Sequence, residues 1–393
     1  MSNASNTAAR VRARGRSAGP SALLVLAVYT PLALYLFRAT EHTGDGAAYT
    51  LQVSAGVALD RAVHAGWLAP LTAWTQLLDL FGVPAAGATN AASALAMGLG
   101  LLGLERLGRE LARETGGRAT DGLLAPATAL CSVAVWDAAT FCEVYGPLSA
   151  TCIGAVLALR SGRSVVAGIA AFAALAVHPG ALALLPGLLI LGTPPGRNLR
   201  PAFEAVVVTT VLATAWVLLL GPSSWLGPRG LLAPGADVLA PQALQRAWRL
   251  LARDLGISAL PLLVGGLLAW TRRDARGLRW LMGCGLLLLG TVLGLDRFSD
   301  NPANLPLFLL CTPLAALAPA ALRAFPPRAA RAGSFLVVAV LVLGIAEATT
   351  RQDAVARSAS KAAEARQLEC DSPGPAGVPW RERMLSELAC AAR

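Results

Sequence analysis

Charge is what this chain has least of. Only 14% of its 393 residues are Asp, Glu, Lys or Arg, against 55% hydrophobic. A soluble domain carries about 25% charged residues, so the balance excludes an ordinary water-soluble globule and marks an integral membrane protein. Lysine is nearly missing, Lys361 being the only one, and alanine is abundant. We read that as the bias of a GC-rich bacterial genome, not as chemistry. No Cys-x-x-Cys occurs among the seven cysteines, which leaves a structural zinc site unsupported. Cys131, Cys142, Cys152, Cys284 and Cys311 lie in or near apolar runs, where a thiol is usually small apolar filler. Cys370 and Cys390 lie in a polar tail, where a disulfide between them would close a loop if their Cα atoms come within about 7 Å. No Ala-x-Ala cleavage pattern follows Arg10, Arg12, Arg14 and Arg16, so the apolar run 21–37 reads as a retained helix and not a signal peptide. No internal repeat of the kind many transporters carry is present.

What the chain does have is apolar runs. A span needs about 20 apolar residues, and the runs predict helices over 21–38, 90–107, 123–141, 145–159, 165–177, 181–191, 202–220, 257–270, 278–295, 306–322 and 334–348. The expected fold is therefore all-α, with about eleven transmembrane helices; the fifth, sixth and eighth are short enough to be half-buried hairpins. The net charge of +10 sits in short connections between the runs and calls for anionic lipid, not nucleic acid. Arginines from Arg10 to Arg16, Arg106 to Arg118, Arg160 with Arg163, Arg197 with Arg200, Arg272 to Arg279 and Arg323 to Arg331 occupy every second connection. By the positive-inside rule these face the cytoplasm. The expected layout is a basic cytoplasmic N-terminus over 1–20, a polytopic domain over 21–349 and an extracytoplasmic tail over 350–393. The first outer loop then covers 39–89 and a second long one 221–256.

Six acidic residues and histidines, Asp45, His64, Glu143, His178, Asp296 and Asp300, fall at the end of the spans away from the arginines. Ionisable groups in or beside a bilayer are costly and tend to mark a site, so an active site facing away from the cytoplasm is expected. Asp45 sits in the turn Thr43-Gly44-Asp45-Gly46 ahead of a helix expected over 47–62. It is equally a favoured N-cap and a carboxylate able to serve as a base. His64 alone reads as an interfacial hydrogen-bonding histidine, Glu143 as a group bonded to backbone at a helix end, and His178 before Pro179 as a satisfied helix-terminal histidine. Asp296 and Arg297 form a local ion pair or part of a site, and Asp300-Asn301-Pro302 reads as a turn. Over 242–254, Leu244, Trp248 and Leu251 share one face while Arg246, Arg249 and Arg253 fall largely on the other, the pattern of an interfacial helix. That face binds either lipid in general or a lipid-linked phosphate.

Several of these residues stand in a recurring order. Asp45 follows the first span; His64-Ala65-Gly66-Trp67-Leu68-Ala69-Pro70 comes next, and the following span opens with Asn90-x-x-Ser93. The stretch Val135-Trp136 through Glu143-Val144-Tyr145 follows, then Ala176-Val177-His178-Pro179-Gly180 running into Leu185-Pro186-Gly187. The chain resembles the GT-C glycosyltransferases, in particular the protein O-mannosyltransferase-like branch. That branch typically has His-Pro-Pro-Gly-Tyr-Pro where this chain keeps only His64, Gly66 and an aromatic at Trp67. Trp225-Leu226-Gly227-Pro228 is a weaker echo of Trp-Gly-Asp-Pro, with the acid missing. The resemblance covers about residues 20 to 230.

The resemblance implies a membrane glycosyltransferase of GT-C architecture in a bacterial inner membrane. It would move a sugar from a polyprenyl-phosphate donor to a protein, lipid or glycan acceptor on the outer side, with inversion. Asp45 is then the catalytic base, with His64 and Glu143 beside it. Tyr145, His178, Arg246, Arg249 and Arg297 are candidates for holding substrate, the arginines because guanidinium groups grip phosphate through several donors. Nothing in the chain calls for a metal or a cofactor. Readings from other classes are a secondary transporter or lipid flippase, whose sign is charge near mid-bilayer, and a non-catalytic membrane scaffold.

Overall fold

The computed structural model describes residues 49–50, 53, 64–141, 144–194, 196, 198–220, 259–271, 275–291, 305–323 and 325–370, with side chains as far as Arg351. Among the described residues every regular element is helical. The first span, the interfacial helix expected over 242–254, the 221–256 and 296–304 loops and Cys390 all lie outside them.

Helix α1, Ala65–Asp79, opens the well-described part and occupies what the sequence suggested was outer loop. The stripe Leu68, Leu71 and Thr75 is buried on one face, which is the helical spacing of a packed segment. Helix α2, Ala85–Glu114, is the central post of the bundle. Met97, Leu101, Leu104, Leu107 and Leu111 form an unbroken buried stripe along it. The helix stops at Thr115-Gly116-Gly117, where Gly116 adopts φ 80° and the Gly117 amide donates back to Ala112 O at 2.6 Å, a glycine-terminated helix end.

The run 123–141, expected as one span, is instead a short 3₁₀ turn with two helices, α3 (Leu124–Ala129) and α4 (Val133–Thr140), bent by 75° at the break. Trp136 holds the bend: its Nε1 donates to Leu130 O at 2.9 Å, a carbonyl the broken helix would otherwise leave unpaired. Then follow α5 (Tyr145–Arg160) and α6 (Ser164–Val177), which turn back on each other through Gly162 at φ 74°. A 3₁₀ turn (Pro179–Leu184) leads into α7 (Leu185–Gly192), so the run expected over 181–191 is not one α-helix. Next come α8 (Arg200–Leu220), α9 (Ala259–Thr271) and α10 (Ala275–Gly290). The run 306–322 is likewise split into α11 (Leu305–Cys311), a 3₁₀ segment and α12 (Ala318–Leu322). The last helix, α13, runs Pro327–Cys370, far past the 334–348 expected and into the polar tail.

Three described helices are long and apolar enough to cross a bilayer by themselves: Ala85–Glu114, Arg200–Leu219 and Pro327–Arg351. The bent pair α3–α4 makes a fourth if taken as one span. The shorter apolar pieces enter as parts of a bundle: Ser164–Val177 packs on α5 and α8, Pro179–Gly192 on α5 and α10, and Leu305–Ala320 on α2, α5 and α9. Large apolar side chains point outward: Val165, Val166 and Ile169 on α6, Phe203 and Val211 on α8, Phe335, Leu336 and Val342 on α13. Such a surface would be untenable in water and suits hydrocarbon. Between helices the contacts are small. Thr209 of α8 donates its hydroxyl to Gly168 O of α6 at 3.1 Å, and a Cβ on Gly168 would come within 2.6 Å of Val208. Close helix approach at small residues is the usual packing device where lipid supplies no hydrophobic drive.

Candidate functional site

The two ends of the bundle carry different chemistry. At the Arg160 end of α5 several of the described arginine-bearing connections meet. Arg160 is 7% exposed; its Nε donates to Glu110 Oε2 at 3.0 Å, a second nitrogen to the Glu114 carboxylate and a third to Leu191 O at 3.2 Å. Its guanidinium lies over the Trp280 ring, 5.5 Å from the centroid. Arg276 donates to Glu114 O, Arg279 to Ile190 O, and Arg323 pairs with Asp121. Connections far apart in sequence are thus collected at one end. Several carboxylates accompany them there (Glu105, Glu110, Glu114 and Asp121), so acidity is not confined to the opposite end.

The opposite end of α5 is Tyr145, roughly 22 Å away at 1.5 Å per residue. Here the sequence dictates a sharp break in α6. A residue before proline is steered out of the helical region, and His178 before Pro179 takes φ −151°, ψ 117°. Its amide still closes the helix on Ala174 O at 2.9 Å, while its ring Nδ1 accepts the Gly180 amide at 3.1 Å. His178 is therefore a helix-terminal cap, as the plainer reading of the sequence had it. It is also more than that, because its ring is buried in a cluster of rings.

His64 stands just ahead of α1. Its Nδ1 lies 2.8 Å from Val177 O, the last residue of α6. This approach is possible because position 66 is glycine: a Cβ there would fall 2.5 Å from the carbonyl carbon of Ala176. The rings of His64 and His178 come to 5.3 Å between centroids, and Tyr145 lies 5.9 Å from His178. Tyr49 meets His64 edge-on at 5.9 Å and 79°. Tyr49, Tyr145 and His178 are buried, whereas His64 is partly exposed. Thr50 reaches Thr89 at 3.3 Å and Trp74 Nε1 donates to Ala88 O at 2.9 Å, tying this wall to the start of α2, where Asn90 and Ser93 are buried. The helix-break position also explains the electrostatics of His178: burial, and then the neighbouring His64, push its pKa down to about 3, so it is neutral in this environment.

Of the residues singled out from the sequence, His64, Tyr145 and His178 come together here. Asp45, Glu143, Arg246, Arg249 and Arg297 lie outside the described residues. Tyr49 was not singled out; its only signal was its place four residues after Asp45 in the sequence. Nor was the Arg160 cluster, because the sequence marks those arginines only as loop charges. Among the described residues no three His, Cys, Asp or Glu side chains gather as a metal set would. An apolar cavity of about 370 Å³ opens between α5, α6, α7 and α8; Leu175 and Leu182 line it near the His178 corner, with Leu188, Thr209 and Val217 also facing it.

No family model and no curated sequence matches the chain. Among solved structures it is similar to ArnT from Cupriavidus metallidurans bound to undecaprenyl phosphate, with TM-score 0.61 and 13% identity over 94% of this chain and 85% of that one. It is also similar to the apo state of ArnT from the same organism, with TM-score 0.53 and 18% identity over 78% of this chain and 60% of that one. In the apo comparison the matched region spans about three-fifths of that chain. At such identities the likeness is one of fold.

Proposed function

We propose that this chain is a membrane glycosyltransferase that takes a sugar from a polyprenyl-phosphate carrier and passes it to an acceptor at the His64–His178 end of the bundle. The observation that carries the reading is the meeting of His64, Tyr145 and His178, drawn from three distant sequence segments, at the end opposite the arginine cluster. The fold agrees: ArnT is a GT-C glycosyltransferase, and one of its structures holds undecaprenyl phosphate. The apolar cavity supports sideways entry of a lipid chain from the bilayer.

In this reading the arginine end faces the cytoplasm, and the protein is a multi-pass inner-membrane protein with its N-terminus inside and its tail outside. Asp45, four residues before Tyr49 in the chain, is the base. The acceptor oxygen attacks the anomeric carbon as its proton passes to Asp45, and the bond from that carbon to the phosphate oxygen breaks with its electron pair going to the phosphate. A single displacement of this kind inverts the centre. Glu143, two residues before Tyr145, acts beside the base; Tyr145 and His178 shape the sugar site, and Arg246, Arg249 and Arg297 hold the phosphate. The O-mannosyltransferase-like branch is the finer assignment, supported by the Glu143-Val144-Tyr145 and His178 segments.

The test is sugar release from labelled undecaprenyl-phosphate sugar by wild type and Asp45→Asn. Loss of a general base lowers turnover by about 10²–10⁴-fold, with expression and insertion retained. A variant as active as the wild type removes Asp45 from the mechanism. A wild type that moves the lipid across the bilayer without releasing sugar points to the flippase reading.

A further inference from the structure

We propose that the groove between α6 and α8 is a resident site for an anionic phospholipid of the arginine-side leaflet, with one acyl chain in the cavity and the phosphate at Arg163. The proposal goes beyond the transferase reading. A cavity open to the bilayer admits a lipid chain of either kind, and the charge at its two ends decides which one stays.

The wall is built for hydrocarbon. On α8 the lining residues run in adjacent pairs one turn apart, from Ala205 and Val206 to Val217 and Leu218. Residues four apart lie on one side of a helix, so this is a continuous stripe, about 20 Å long at 1.5 Å per residue. A bilayer's hydrocarbon core is about 30 Å thick, so the stripe has the reach of one leaflet's chain. On α6 the facing stripe is Ala167, Ala171 and Leu175, and the two alanines leave the space a larger side chain would fill. Thr209 donates its hydroxyl to Gly168 O and Ala205 O, and Thr210 to Val206 O. Neither has a hydrogen left for a polar ligand. Val206, Leu182 and Leu218 are exposed and open the groove sideways to lipid.

The ends differ in charge. Arg163 stands at the start of α6, one turn before Ala167, whose amide donates to Arg163 O at 3.0 Å. Its side chain is exposed and makes no hydrogen bond or ion pair among the described residues. Across the same mouth, Ser164 Oγ donates to Glu204 Oε2 at 2.6 Å and Arg200 Nε to Glu204 Oε1 at 2.7 Å. This bridge ties α6 to α8 and balances Arg200 against Glu204, which leaves the charge of Arg163 uncompensated among the described residues there. Toward the other end, the segments 172–185 and 211–220 contain no Lys or Arg. A lipid phosphate therefore meets a cation at the arginine end of these two helices and none at the other. Guanidinium groups hold phosphate through several donors, and anionic headgroups gather at basic residues beside a span. A polyprenyl phosphate delivering its sugar to the His64–His178 end would set its phosphate at the uncharged end, so the same charge selects the phospholipid over the carrier.

The test is photocrosslinking of the full chain in phosphatidylcholine nanodiscs. These carry a trace of phosphatidylglycerol with a diazirine in one acyl chain, and mass spectrometry reads where it attaches. We expect attachment within 167–175 and 205–218. Unlabelled phosphatidylglycerol should suppress it at about one-fifth or less of the amount needed of phosphatidylethanolamine, the share one arginine supplies toward anionic lipid. Arg163→Gln should abolish that difference and Arg163→Lys should retain it. Thr210→Phe, a substitution at an exposed position of the wall, fills the groove and should remove the attachment; if it fails to insert, the Arg163 variants decide. Attachment outside the two stripes, or a preference unchanged in Arg163→Gln, overturns the proposal. So does suppression by undecaprenyl phosphate at lower amounts than by phosphatidylglycerol, which would assign the groove to the carrier. None of these readouts uses sugar release, so they stand whether the transferase reading holds or fails.

Discussion

Replacing Arg160 with methionine tests the physical account of the bundle most directly. The side chain is 5% exposed, and its partners Glu110 and Glu114 are 28% and 29% exposed. The substitution keeps an apolar stem of similar length against Trp280 but removes two charge-assisted hydrogen bonds and the bond to Leu191 O. Hydrogen bonds to charged groups contribute about 1.5–3 kcal/mol each, which puts the gross loss of the three at about 4.5–9 kcal/mol. Two effects oppose it. The guanidinium no longer has to be held out of water, and the carboxylates, more than a quarter exposed, can rehydrate. We expect a net cost of about 3 kcal/mol, at the lower edge for breaking a buried pair.

The comparison pair is Arg200–Glu204 on α8, 77% and 39% exposed at 2.7 Å, where a surface ion pair contributes about 1 kcal/mol or less. Equilibrium unfolding in mixed micelles, run as double-mutant cycles, reads both. Arg160→Met with Glu114→Gln should show a coupling of about 2 kcal/mol, in the range for groups sharing a network. Arg200→Met with Glu204→Gln should stay below about 1 kcal/mol. A coupling at Arg160 no larger than at Arg200 would refute the claim that this cluster clamps α2, α5 and α7 together.

The remaining predictions concern the histidine end. Gly66→Ala puts a methyl 2.5 Å from the Ala176 backbone, so α1 must back away from α6. Overpacking of this sort costs about 1–3 kcal/mol and draws His64 off Val177 O; melting and sugar release should fall together, and an unchanged variant would show that α1 is not seated there. Acid should weaken the fold through His178. Its pKa is about 3 in the folded protein against the ordinary 6.5, so the unfolded chain binds the extra proton between those values. Stability is full above about pH 6.5 and declines below it by at most about 1.4 kcal/mol per pH unit. Unfolding at neutral pH and near pH 5 should show this slope in the wild type and a smaller one in His178→Asn; equal slopes would assign the acid sensitivity elsewhere.

Composition and hydropathy by themselves determined that this protein is helical and lives in a bilayer, since scarce charge and repeated apolar runs admit little else. The order of Asp45, His64, Glu143 and His178 also pointed to a GT-C glycosyltransferase, and the fold is similar to that of ArnT. Proline grammar was legible too: His178-Pro179 broke a helix where local sterics demand it. What sequence could not reveal was continuity and meeting. The run 123–141 is apolar throughout and reads as one span, yet it bends at residues 130–132 because Trp136 is placed to satisfy Leu130 O. The His64 segment reads as loop, and becomes the lead-in to α1 only because Gly66 can lie against Ala176. Local propensity is written in neighbouring residues, whereas these choices depend on partners 6 to 113 positions away.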